Sequence, residues 1–157
     1  MLRYHNFDIV FQEVPGEVTL AINISNCPNR CKGCHSPHLM EDRGEVLDQR
    51  RLSSLINRYG TAITCVCFMG GDNDPKDVER LAVWVHQQGI KTAWYSGKQD
   101  FYSHCSPINF DYIKLGPYIE NLGGLGSPYS NQRFYKVENG KMIDSTALFT
   151  VIKKLHK

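Results

Sequence analysis

Three short apolar runs, each closed by a turn sequence, constrain the fold of this chain more than any other feature. Ile63 to Met69, Ile90 to Tyr95 and Phe110 to Leu115 end in Gly70-Gly71-Asp72, Ser96-Gly97 and Gly116-Pro117. The first run is almost continuously apolar, as in a parallel strand covered on both faces. Between it and the second, Asp74-Pro75 reads as a helix cap with proline at the first helical position. Val78, Leu81, Ala82 and Val85 then hold one face as far as Gly89.

The same grammar extends toward the N-terminus. Val18 to Ser25 alternates bulky apolar with small or polar residues, which predicts a strand. Leu47, Leu52, Leu55, Ile56 and Tyr59 recur at helical spacing, with Asp48 early and Gly60 as the stop. A glycine-rich loop, 123–128, precedes a strand expected over Arg133 to Val137, and Asp144 to Leu155 reads as a short helix. Strands alternating with helices predict an α/β fold with a mostly parallel sheet and right-handed crossovers. In such sheets ligands collect at the C-terminal ends of the strands. One cofactor site on one edge is therefore expected.

A chain of 157 residues, 41% apolar and 22% charged, suits a single domain over 1–157. A net charge of +2 without like-charge runs argues against a general nucleic-acid or membrane surface. Asp8 and Glu13 interrupt the apolar core a signal peptide would need, and no run of about 18 apolar residues occurs. A cytoplasmic protein is expected. In a reducing compartment six cysteines do not form a disulfide framework, so a tight group of three calls for a metal or redox explanation.

That group is Cys27, Cys31 and Cys34, directly after the first predicted strand. Cys31-Lys-Gly-Cys34-His35 has the form of a haem attachment site, but this reading needs export and leaves Cys27 idle. Zinc is a stronger rival, since the three thiols with His35 or His38 make four tetrahedral ligands. Structural zinc sites, however, usually pair two short motifs from separated parts of a chain. An iron–sulfur cube takes three thiolates from a CxxxCxxC loop and keeps its fourth iron open for a substrate. Gly33 and Pro28 suit a loop curled around an inorganic body.

CxxxCxxC after a first strand and Gly70-Gly71-Asp72 after a second resemble the radical S-adenosylmethionine superfamily. The glycine within Cys31 to Cys34, the aspartate at 72 and Ser130-Asn-Gln-Arg133 resemble, within it, the activating proteins of anaerobic ribonucleoside-triphosphate reductase. The resemblance covers about Val18 to Val137. It implies a partial (βα) barrel of the radical S-adenosylmethionine type, and a 4Fe–4S cluster held by Cys27, Cys31 and Cys34. It also implies S-adenosylmethionine on the open iron, bounded by Gly70, Gly71 and Asp72, with Tyr95, Ser96 and Asn131 completing the shell. The implied activity is reductive cleavage of S-adenosylmethionine and formation of a glycyl radical on the reductase large subunit. A flavodoxin or ferredoxin would supply the electron.

Other cysteines read more plainly. Cys65 and Cys67 alternate on one strand and face the same side, as small core residues do. Cys105 beside His104 carries no further signal. His35 reads equally as a hydrogen-bonding neighbour of the cluster loop or as a cap of the next turn. Ser130 to Arg133 reads either as part of the cofactor shell or as a turn closed by side-chain to backbone hydrogen bonds.

Overall fold

Alternating burial in the first residues, with Leu2 and Tyr4 inside and Arg3 and His5 outside, builds a long strand that the sequence reading did not assign. In the computed structural model, which describes residues 1–25 and 44–149, this strand is β1 (Leu2–Val10). The others are β2 (Thr19–Ile24), β3 (Glu45–Leu47), β4 (Cys65–Met69), β5 (Lys91–Tyr95), β6 (Tyr112–Leu115), β7 (Arg133–Glu138) and β8 (Lys141–Asp144). They form one sheet in the order β3-β1-β2-β4-β5-β6-β7-β8.

This sheet corrects the expectation of a mostly parallel partial (βα) barrel of the radical S-adenosylmethionine type. Only the central junctions, β2–β4, β4–β5 and β5–β6, are parallel. The four outer junctions are antiparallel. Besides a helical stretch at 147–149, the described residues hold α1 (Gln49–Tyr59) and α2 (Pro75–Gln87), too few helices to alternate with every strand. Between β5 and β6 the chain crosses with a single 3-10 turn, Pro107–Asn109, where a barrel would place a helix. A mixed eight-stranded sheet is the result.

Both helices begin and end where the sequence requires. Asp48 accepts from the Arg51 amide at 2.8 Å, and Asp74 caps α2 ahead of Pro75. Leu47 leaves the helical pattern to become the buried end of β3. Leu52, Leu55 and Ile56 of α1, with Val78, Leu81, Ala82 and Val85 of α2, pack on one face of the sheet. Each large aliphatic so buried contributes about 1.5–3 kcal/mol. Asp144, expected in a helix, ends β8 instead; helical backbone covers 147–149, and the rest of that predicted helix lies outside the described residues.

The opposite face carries Cys65, Cys67, Ala93, Tyr112 and Phe134, covered by Val14 and packed against Leu125 and Phe149. Burial above all holds the Cys65 and Cys67 thiols well above their ordinary range. Alkylation of the native protein with iodoacetamide is expected to leave both unlabelled until the chain is unfolded. Peptide mapping by mass spectrometry checks this, and rapid native labelling of either would contradict a closed face.

Buried Glu17 ties the start of this layer together. It accepts from Tyr112 Oη at 2.6 Å and from Lys91 Nζ at 3.1 Å. Burial pushes its carboxyl up, but hydrogen bonds from Tyr112, Thr64 and Lys91 outweigh that and hold it below its ordinary value. A depressed carboxylate contributes stability above its unfolded pKa, about 4.3, and loses it as pH falls through the folded value. Urea midpoints of wild type and Glu17→Gln are therefore expected to converge below about pH 4. A gap that persists unchanged to pH 3 would refute the assignment.

Candidate functional site

Asn23, Met69, Tyr95 and Lys114 form one row across β2, β4, β5 and β6, the last before the strands end. The turns that follow share one rim because the central strands are parallel. Gly70 N–H donates to Tyr95 O at 3.0 Å, Ser96 N–H to Lys114 O at 2.9 Å, and Gly116 N–H to Lys98 O at 2.7 Å. The expected convergence of Gly70, Gly71, Asp72, Ser96 and Gly116 on one edge is present.

Asp72 is the polar centre of the rim. Its residue is 7% exposed, and its carboxylate accepts from Ser96 Oγ at 2.6 Å, the Gly97 amide at 2.9 Å and Tyr102 Oη at 2.8 Å. Ser96 Oγ also accepts from the Lys98 amide at 3.1 Å. The two glycines are held as tightly. Gly70 O accepts from Trp94 Nε1 at 2.8 Å, and Gly71 O accepts from the Asp74 amide at 3.0 Å. Carbonyls and carboxylate that the sequence reading assigned to a ligand thus also hold the protein's own turns together.

Tyr95 lies in the last row, but its ring packs edge-on against Phe134 and its hydroxyl donates to Glu13 O. Burial raises its phenol well above the ordinary value. Asn131 is closer to the expected role. Its Nδ2 donates to Pro117 O at 3.0 Å, while among the described residues its Oδ1 is buried without a hydrogen-bond partner. A buried acceptor left unpaired costs about 1–3 kcal/mol, so this atom is suited to a donor brought by a ligand. Beside it, Gln132 Nε2 donates to Gly116 O at 3.3 Å and the Gln132 amide donates to Ser130 Oγ at 3.0 Å, the side-chain to backbone bonds of a closed turn.

Cys27, Cys31, Cys34 and His35 lie outside the described residues. The chain on either side of them is anchored. Ser25 is buried and donates to Arg3 O from its amide at 2.9 Å. Tyr4 of β1 pairs with Ile24 on one side and Glu45 on the other. The cysteine-bearing segment therefore departs and returns on two strands that flank β1, two strand spacings or about 10 Å apart. Departure is beside the Gly70 turn, where Ile24 O lies 3.2 Å from the position of an added Gly70 Cβ.

No protein-family model, curated protein or solved structure matches the chain. The site is accordingly read from its own chemistry.

Two residues join the rim that the sequence reading did not single out. Lys114 directs Nζ to Gly116 O at 3.1 Å and Ser96 O at 3.4 Å, which brings a cation to the edge. Its signal was available: a lysine in the last position but one of an apolar strand is rarely placed there by packing. Tyr102 reaches Asp72 from the irregular chain between β5 and β6, where no periodicity points to it. Burial, then the Asp72 charge and hydrogen bond, raise its phenol, so it stays a donor across the physiological range.

Proposed function

We propose that this protein is a cytoplasmic radical S-adenosylmethionine activase that installs a glycyl radical on the large subunit of anaerobic ribonucleoside-triphosphate reductase. A reduced flavodoxin or ferredoxin would serve as electron donor. One observation carries the reading: the chain enters the segment bearing CxxxCxxC from Ser25, beside the rim that holds Gly70, Asp72, Ser96 and Asn131, and resumes at β3 across β1. The proposal rests on cysteine spacing and this rim, not on a barrel.

Three thiolates suit a 4Fe–4S cluster, and the unpaired acceptor of Asn131 with the cation of Lys114 suits a zwitterionic ligand such as S-adenosylmethionine. When bound, such a cluster, reduced by the external donor, would supply reductive cleavage of the S-adenosylmethionine sulfonium, with Cys27, Cys31 and Cys34 holding it and the hydrogen taken from a partner glycine. The chain's own contribution is to hold, orient and shield. Asn131 offers an acceptor, Lys114 offsets a carboxylate, and the Asp72 network keeps the three turns in register. Among the described residues no helix is long and apolar enough to cross a membrane.

Anaerobic reconstitution with iron and sulfide, followed by reduction and electron paramagnetic resonance, tests the reading. A reduced 4Fe–4S signal that changes on adding S-adenosylmethionine is expected, and Cys31→Ala should lose both the signal and the cleavage. One tightly held zinc with no sulfide would overturn it in favour of a structural metal module. An intact cluster that cleaves S-adenosylmethionine without acting on the reductase would leave the chemistry and change the substrate.

A further inference from the structure

Two stacked rings grip the Gly70–Asp72 turn from below. Trp94 and Tyr102 lie with centroids 5.3 Å apart and planes 11° from parallel. Trp94 Nε1 donates to Gly70 O, and Tyr102 Oη donates to Asp72 Oδ1, so consecutive elements of one turn are held by one aromatic pair. Trp94 is fully buried and is fixed further by Phe101 and Phe110. The Cys105 amide donates to Tyr102 O at 3.2 Å, which folds the irregular chain back beneath the rim.

We propose that Tyr102 is a positioning residue for the ligand site, acting through Asp72 to fix the turn that bounds it; this rests on the function proposed above. The geometry separates two jobs of one side chain. The Tyr102 ring contributes packing against Trp94, while its hydroxyl bonds Asp72 and interacts with Ser96, itself a partner of that carboxylate. Removing the hydroxyl keeps the stack and leaves the carboxylate with Ser96 Oγ and the Gly97 amide to orient it. A carboxylate with one restraint fewer samples other orientations, and the turn loses preorganisation.

The test uses the full chain, anaerobically reconstituted, with S-adenosylmethionine as the probe in isothermal titration calorimetry. Tyr102→Phe is expected to weaken binding about 10-fold, the cost of ordering on binding a side chain that wild type holds in advance. Asp72→Asn should weaken it comparably, and the double variant should be no weaker than Asp72→Asn alone, because both changes act on one element. At saturating S-adenosylmethionine, the ligand-induced change in the cluster's paramagnetic signal should differ between Tyr102→Phe and wild type, which a merely structural loss would not produce. Should Asp72→Asn fail to fold, Ser96→Ala replaces it as the second arm of the cycle. Wild-type affinity and spectrum in Tyr102→Phe, or effects that multiply, would overturn the positioning role while sparing the functional reading. A wild-type protein that takes up a cluster but no S-adenosylmethionine would overturn both.

Discussion

Replacing Gly71 with alanine is expected to destabilise the protein by about 3 kcal/mol, read as a lowered urea midpoint at unchanged slope. Gly71 has φ of +92°, where an added Cβ costs about 1–2 kcal/mol in backbone strain alone. That Cβ would also stand 2.4 Å from Val78 Cγ2, a stiff β-branched side chain in the first turn of α2. Val78 is fully buried against the sheet and has nowhere to retreat. The two contributions are separable. Gly71→Ala combined with Val78→Ala should recover the steric part and retain the strain, so the double variant should be less destabilised than the sum of the single changes. Simple additivity would show that α2 already shifts to make room.

That expectation bears on how a glycine-glycine-aspartate motif is read. In this chain each residue has work to do before any ligand arrives. Gly71 lets α2 approach, Gly70 presents its carbonyl to Trp94, and Asp72 binds the β5 turn to the β4 turn. The motif alone is therefore weak support for a cofactor. The cysteine spacing is stronger, because three thiols so placed call for a metal or redox explanation of their own. This ranking makes the cysteine variant, and not a variant of Asp72, the decisive test of function.

Legibility in the sequence followed how local the physical cause is. The caps Asp48 and Asp74, the helical faces of α1 and α2 and the buried strands β4, β5 and β6 depend on residues within one turn or one strand, and all were readable. The convergence of turns on one rim followed from parallel pairing of those strands. Of the antiparallel margins, β7 was expected as a strand over Arg133 to Val137, but β1, β3 and β8 were not. β1 buries Leu2 and Tyr4, but a register shift between Tyr4 and Asn6 moves its apolar positions to the half-buried Phe7 and Ile9, so its period is broken. The β7–β8 hairpin did carry a signal that went unused: Asn139-Gly140, both at positive φ, is the preferred two-residue hairpin turn. Reading it would have shown that the sheet does not close by further βα units. Tyr102 was illegible for a different reason, since its partner Asp72 is 30 residues away and only tertiary contact joins them.

Gly44→Ala is expected to have a comparably large effect, about 3 kcal/mol, through a different route. A Cβ at Gly44, where φ is +111°, would lie 2.0 Å from the backbone oxygen of Tyr4. Backbone paired on both sides cannot move: Tyr4 is held by Ile24 in β2 and by Glu45 in β3. The cheapest escape is to detach β3, giving up Leu2↔Leu47, Arg3↔Val46 and Tyr4↔Glu45 and exposing the fully buried Leu2 and Leu47. The cost of that local opening sets the ceiling on the clash. Hydrogen exchange should then show lost protection confined to β1 and β3, with β4 to β6 unchanged. Because β3 anchors one end of the cysteine-bearing segment, the functional reading adds a second expectation. A cluster bound only by the folded protein stabilises it by mass action, and a chain whose β3 is detached binds it less tightly, so reconstitution should recover less stability in Gly44→Ala than in Gly71→Ala, which should gain as much as wild type. Equal recovery in both variants would mean that cluster binding and the β1–β3 anchor are uncoupled, and that the rim is assembled without reference to the metal.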